Sequence, residues 1–187
     1  MPPPGLQLYF LAIVPPQPVK DEIRRLKEYF QDRYKSKASL NSPPHITLHM
    51  PFQWKPEKEL PLIKVLTNVA ATLTPFDLQL KNFGAFEPRV IFIGVAENPS
   101  LMHLQRELMK TCRTKLQLLN AQYRDLPFHP HITLAFRDLK KAAFVEAWQE
   151  FGKKEFEASF QVKEFCLLKH DGRIWNEYRQ FSLVSGK

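Results

Sequence analysis

Cysteine is scarce in this chain. Cys112 and Cys166 are the two in 187 residues, so no disulfide framework and no metal-ligand spacing can rest on them. Both read as small buried hydrophobes of a reducing compartment. No apolar run approaches the roughly 20 residues that a membrane-crossing helix needs. The opening Met1-Pro2-Pro3-Pro4-Gly5 lacks the charged and apolar regions of a secretory signal. The expectation is a soluble cytoplasmic protein with no membrane partner. Equally absent is a flexible linker that would divide the chain, and its length suits one good core or two small lobes sharing an interface, hence one bilobal domain over 1–187. Apolar residues at 44% and charged residues at 25% are ordinary globular values. Lys and Arg outnumber Asp and Glu by 27 to 19, and the formal charge of +8 favours an anionic partner.

What is present is a phrase that occurs twice. Pro44-His45-Ile46-Thr47-Leu48 returns as Pro130-His131-Ile132-Thr133-Leu134, 86 positions later. Each copy reads as a β-strand opened by a proline, where the missing N–H costs least. Side chains alternate across a strand, so His45, Thr47 and His49 point one way while Ile46, Leu48, Met50 and Phe52 point the other. The second copy sets His129, His131 and Thr133 against Ile132, Leu134 and Phe136. A lone histidine in a strand is most simply a core residue with capped ring nitrogens. The doubling favours function, because strand chemistry does not require a threonine two residues after a histidine, and a structural histidine needs no twin.

The rest of the chain alternates in period. Leu6 to Val14 reads as a strand ended by prolines, and Val19 to Tyr34 carries the spacing Val19, Ile23, Leu26, Phe30 of an amphipathic helix. Pro51 to Pro56 is expected to break the first His strand, and helical spacing returns over Glu57 to Thr72. Two strands follow, Phe76 to Phe83 and Arg89 to Ala96, and Pro99 and Ser100 open a helix over Leu101 to Leu119. Past a loop and the second His strand, Asp138 is expected to cap a helix over Leu139 to Phe151. Two long strands close the chain, Phe156 to Lys169 and Arg173 to Val184, joined at the hairpin signal Asp171-Gly172. Both halves thus run strand, helix, His strand, helix, strand, strand, with Phe76-Asp77-Leu78 matching Phe160-Gln161-Val162 and Arg89-Val90-Ile91 matching Arg173-Ile174-Trp175. The pattern predicts an α+β fold, bilobal and duplicated: two mainly antiparallel sheets facing a central cleft, helices outside, with pseudo-twofold symmetry.

Two imidazoles across one cleft can divide acid and base work near neutrality, one deprotonating an attacking hydroxyl and the other protonating the departing oxygen. Each Thr hydroxyl can donate to an anionic oxygen held between them. A phosphodiester suits such a cleft, most economically a 2′,3′-cyclic phosphate, whose ring strain reduces the need for a metal. His129-x-His131 has the spacing of a strand-borne metal pair, yet His45 and His49 are about 13 Å apart along an extended strand, and no Asp or Glu falls within either copy. No metal and no cofactor are expected.

These paired strands resemble the two-histidine phosphoesterase superfamily, and within it the LigT-like RNA 2′,3′-cyclic phosphodiesterases, also called 2′-5′ RNA ligases. The two copies are specific as a pair and weak singly, and the matching order of elements extends the resemblance over nearly the whole chain. It implies a bilobal fold with pseudo-twofold symmetry and a metal-independent opening of a cyclic phosphate to a 2′-phosphate, with reverse 2′-5′ joining in some members. By position, His45 would donate the proton to the leaving oxygen, His131 would activate water, and Thr47 and Thr133 would hold the phosphate. The implied partner is RNA or a nucleotide with a 2′,3′-cyclic phosphate end, acted on by a monomer.

Among secondary candidates, His49, Phe52, Phe128 and Arg137 are the expected substrate-binding residues, with Trp54, Tyr123 and Trp175 as further aromatics able to stack on a base. Arg89, Arg124, Lys169 and Arg173 are further cations able to hold a phosphate. His103 and His170 read as surface residues. The rival from another class is a non-catalytic RNA- or nucleotide-binding module, which the positive charge suits but which has no use for two titratable rings.

Overall fold

The structure is a computed structural model and describes residues 5–119 and 127–184; Tyr123 and Arg124 lie outside the described residues. Along the chain come β1 (Gln7–Ile13), α1 (Val19–Tyr34), β2 (Ile46–Trp54), α2 (Glu59–Ala70), β3 (Phe76–Phe86) and β4 (Val90–Val95). Then follow α3 (Pro99–Lys115), β5 (His131–Ala135), α4 (Lys141–Phe151), β6 (Glu157–Val162), β7 (Glu164–His170) and β8 (Trp175–Ser182). Helix α1 forms where the apolar stripe predicts it and buries Val19, Ile23 and Phe30. Helix α3 starts at Pro99 because the Asn98 side chain accepts from the Leu101 N–H.

The strands lie in the order β6-β3-β4-β5-β2-β1-β7-β8, and every pairing is antiparallel. The α+β class and the external helices are as expected, and the two four-stranded halves meet edge to edge at β2 and β5 through the pair Ile46–Ile132. The sheet is curled, because β6 and β7 stand far apart in the strand order yet are separated in sequence by Lys163 alone. Bonds from Leu183 N to Lys163 O (2.8 Å) and Val184 N to Leu73 O (2.9 Å) stitch that seam. Helix α1 packs on β5 while α3 packs on β2, so each half lays its first helix over the other half's His strand. One core runs through both halves, from Ile46 and Leu48 to Ile132 and Leu134.

Four local expectations are corrected. Strand β2 does not stop at Pro51 but continues to Trp54. Pro51 falls in a bulge against β1, between the pairs Tyr9–Phe52 and Leu11–His49, where its missing N–H breaks no ladder bond. The stretch from Phe156 to Lys169 is two strands, since at Lys163 the chain leaves β3 as its neighbour and takes up β1. Asp138 does not cap α4, whose N-cap is Lys140. Its carboxylate instead accepts from Ser36 Oγ (2.8 Å) and from the N–H groups of Lys37 and Ala38 (both 2.9 Å), fixing the 3₁₀ turn Ala38–Asn41. Finally, the duplication is positional up to the His strands and parts afterwards: β4 adjoins β5, whereas β8, begun by the matching Arg173-Ile174-Trp175 region, lies at the far edge of the other half.

Candidate active site

The alternation of the two His strands fixes the site. Ile46 and Ile132 are fully buried against the helices, so the residues flanking each of them turn to the open face of the sheet. Antiparallel register through Ile46–Ile132 sets Thr47 beside His131 and His45 beside Thr133, with neighbouring Cα atoms on the order of 5 Å apart. All four side chains are partly exposed. The two His-x-Thr pairs therefore meet where the halves join, as adjacent strands of one sheet.

Both rings are held the same way. His45 Nδ1 lies 2.8 Å from Pro43 O and His131 Nδ1 lies 2.7 Å from His129 O. A carbonyl oxygen only accepts, so each Nδ1 carries the hydrogen and each neutral ring keeps its lone pair on Nε2.

The rings differ in their electrostatics. Burial pushes His45 down to about 4, and the Lys27 ammonium and the His131 ring push the same way against the Pro43 bond. His131 is also lowered, mainly by burial and further by the His129 ring, against the bond to His129 O. Lys27, on α1, is 2% exposed. It donates to Ser39 O (3.0 Å) and Ser42 O (3.2 Å), the carbonyls just ahead of Pro43, and burial followed by the charge of Arg24 lowers it to about 7. Ser39 in turn donates from Oγ to Leu134 O at 2.6 Å, so one short turn connects α1 to both His strands.

A cavity of 220 Å³ opens at His45 and Thr47, walled by Phe10, Ser42, Arg137, His170, Arg173 and Trp175. Of the expected substrate-binding residues, Arg137 lines it. Its backbone is left-handed, φ 54°, and its guanidinium lies 5.0 Å over the Phe136 ring. The other three lie elsewhere. A bulge at Leu48, between the pairs Leu11–His49 and Ala12–Thr47, turns His49 into the core, and the bulge at Pro51 restores the alternation and keeps Phe52 on the core face with Ile46 and Leu48; the two are 0% and 2% exposed, with ring centroids 5.5 Å apart. His49 Nδ1 donates to Met50 O, and its Nε2 is buried without a partner. Phe128 is partly buried and packs against the main core. Trp54 is likewise partly buried against that core, and Lys169 binds Glu59 at 2.7 Å.

His170, expected at the surface without a role, lines the cavity together with Arg173 and Trp175. The β7–β8 hairpin places all three. Gly172 takes φ +100°, and the Asp171 carboxylate accepts from Arg173 N, Ile174 N and Asn176 Nδ2. The Asp-Gly signal marks the hairpin in the sequence, but its place beside β1 is a matter of topology. Lys27 reads in the sequence as one of the cations of a solvated face of α1, with Lys20, Arg24 and Arg33, whereas the structure buries it. Among the described residues no three His, Cys, Asp or Glu side chains gather as a metal site.

A family model described as the 2′-5′ RNA ligase superfamily matches residues 15–174. A relative in Geobacillus kaustophilus that bears the name of a phosphoesterase is 29% identical over 182 residues, covering 96% of this chain and 97% of its own. Another of that name, in Bacillus cytotoxicus, is 28% identical over 179 residues, covering 94% and 96%. Among solved structures, E. coli LigT complexed with 3′-AMP superposes with a TM-score of 0.65 at 25% identity, over 96% of this chain and 99% of that one. TT0787 of Thermus thermophilus shares the fold, with a TM-score of 0.67 at 23% identity over 97% and 100% of the two chains.

Proposed function

The chain belongs to the 2′-5′ RNA ligase superfamily, and from that membership we propose that it is a metal-independent phosphodiesterase that opens 2′,3′-cyclic phosphates of RNA or nucleotide ends to 2′-phosphates. Phosphoesterase is the level at which its relatives are named. The observation that carries the finer reading is the convergence of His45, Thr47, His131 and Thr133 on one open face, with both Nδ1 atoms capped. The structures of E. coli LigT with 3′-AMP, ATP and NADP+ support a nucleotide as partner. Both histidines come from one chain, so a monomer suffices.

In this reaction His131 Nε2 takes a proton from water as its oxygen attacks phosphorus. The bond from phosphorus to the 3′-oxygen breaks, and His45 gives that oxygen a proton. Thr47 and Thr133 donate to the non-bridging oxygens, whose charge grows in the transition state. The resting site disfavours a charged His45, so the proton is held there only once the phosphate's negative charge is in place. With a 5′-hydroxyl in place of water as the nucleophile, the same steps in the same direction join two ends by a 2′-5′ linkage.

The test is incubation of the protein with an oligonucleotide ending in a 2′,3′-cyclic phosphate after exhaustive chelation. A 2′-phosphate product is expected at an undiminished rate, and His45→Ala and His131→Ala should each lose turnover by orders of magnitude while still binding. A binding module would have no turnover to lose, and a rate abolished by chelation and restored by zinc would overturn the reading.

A further inference from the structure

The cavity at His45 carries more positive charge than one cyclic phosphate can use. Among the described residues no Asp or Glu side chain lines it, yet Arg137 and Arg173 both do. Neither guanidinium enters an ion pair with any described residue. A 2′,3′-cyclic phosphate bears a single negative charge, which one bidentate arginine answers. Arg137, just past β5, stands on the side of the reacting phosphate. Arg173 is left without an anion.

The hairpin that bears Arg173 fixes a donor beside it. His170 Nδ1 accepts from the Gly172 N–H at 3.1 Å, so the hydrogen of its ring sits on Nε2, the opposite tautomer to His45 and His131. The ring stands edge-on to Trp175 at 4.9 Å, and Gln7 donates to the His170 carbonyl. Asp171, the acid of this turn, faces the backbone: it accepts from Arg173 N, Ile174 N and Asn176 Nδ2 and takes no part in the cavity wall. A fixed N–H and an unpaired guanidinium on one short turn are the donor set of a phosphate site.

Strand order sets where that second phosphate lies. The reacting one falls between β2 and β5, whereas the hairpin follows β7, on the far side of β1. Neighbouring strands stand about 4.8 Å apart, so the hairpin is set back from β2 by roughly 10 Å. A row of rings fills the interval: His45 to Phe10 at 4.8 Å, Phe10 to Trp175 at 4.6 Å, and Trp175 to His170.

We propose that Arg173 and His170 form a second phosphate subsite, which takes the 5′-phosphate of the nucleoside whose 2′- and 3′-oxygens carry the cyclic ester. The ribose lies along the row of rings, its 2′,3′ edge at His45 and its 5′-carbon at the hairpin. This rests on the phosphodiesterase reading and adds two specificity-determining residues to it, neither of which touches the reacting atoms. The favoured substrate is then a cyclic phosphate with a further phosphoryl group one ribose away, over the bare cyclic nucleoside.

The test measures kcat/KM in the parent, Arg173→Met and His170→Phe for three compounds: adenosine 2′,3′-cyclic phosphate, its 5′-phosphate, and adenylyl-3′-5′-adenosine ending in a 2′,3′-cyclic phosphate. The parent is expected to favour the second and third over the first roughly tenfold, the value of a charge-assisted contact. That preference is expected to vanish in Arg173→Met and to shrink in His170→Phe. A gain for the mononucleotide alone, lost in Arg173→Met, also upholds the subsite and assigns it to free nucleotides. A gain for the dinucleotide alone would credit the extra base and overturn the proposal. A parent without preference would overturn it too, as would a hairpin merely loosened by substitution, which lowers all three rates alike and leaves their ratios unchanged. Should the parent turn over none of the three, the phosphodiesterase reading falls. Equilibrium dialysis then decides this one alone: tighter binding of adenosine 2′,5′-bisphosphate than of adenosine 2′-phosphate, with the advantage lost in Arg173→Met, upholds it, and equal binding ends it.

Discussion

Three influences lower His45, namely burial, the Lys27 ammonium and the His131 ring, and the Nδ1 bond to Pro43 O opposes them. His131 is lowered from its ordinary 6.5 as well. Because kcat/KM reports the free enzyme, both limbs of its pH profile are expected below pH 6.5, and kcat, measured with the phosphate anion between the rings, is expected to peak at higher pH. Lys27→Met keeps the stem and removes the charge. With His45 as proton donor, loss of that charge raises the His45 value, so kcat/KM on the alkaline side of the profile, where the rate follows the protonated fraction of His45, is expected to rise in that variant; no change there would show that Lys27 acts only in packing. His49 supplies the contrasting case. Its place in the core means that His49→Leu should keep turnover of the same order as the parent. The stability change is expected within about 1 kcal/mol, since the lost bond to Met50 is offset by removal of a buried unpaired nitrogen. A collapse of kcat in His49→Leu would return His49 to the cleft.

At the level of elements, the connection between α1 and β2 places the first histidine. Asp138, just past β5, accepts three hydrogen bonds from that connection, and Lys27 and Ser39 complete the tie to α1 and β5. Asp138→Ala is expected to cost about 1–2 kcal/mol in urea unfolding, the value of an exposed cap. It should also lower kcat more than it raises KM, because the turn ahead of Pro43 sets the His45 ring. Unchanged kcat would confine Asp138 to stability. Elements whose order is set by local alternation and spacing were legible in the sequence: α1 over Val19–Tyr34, both His strands and the hairpin at Asp171-Gly172. What was not legible depends on partners far along the chain. Pro51 reads as a strand end until β1 is known to lie opposite with one residue fewer, and His49 turns inward at a second bulge, at Leu48, that only the pairing with β1 reveals. The alternation Phe156, Ala158, Phe160, Val162 gives way at Lys163-Glu164 to the apolar run Phe165 to Leu168, but the break between β6 and β7 exists because the neighbouring strand changes there, which no local pattern names. Two histidines and two threonines were legible because the sequence repeats them, whereas Trp175 and His170 reach the site through strand order alone.

Across the whole molecule, the groups withheld from water set how stability follows pH. His45, His49 and His131 all have folded-state values below 6.5, so the unfolded chain binds more protons between those values and 6.5. Stability from these three is fully present above pH 6.5 and is lost as pH falls, through about 4 for His45. Lys27, lowered from 10.5 to about 7, adds stability in the same direction as pH rises between those values. Cys112 and Cys166, pushed up from 9 to about 12 by burial, act the other way, and their contribution is lost as pH climbs from 9 toward 12. The formal charge of +8 grows on acidification and adds self-repulsion on the acid side. Urea midpoints are therefore expected to be highest between pH 7 and 9 and to fall steeply below pH 6. Because one core runs through both halves and α1 and α3 each cover the other half's strand, every melt should show a single transition. Two transitions, or a midpoint indifferent to pH between 4 and 7, would mean that the imidazoles are not held neutral by a shared interior, and the electrostatic division of labour at the cleft would lose its basis.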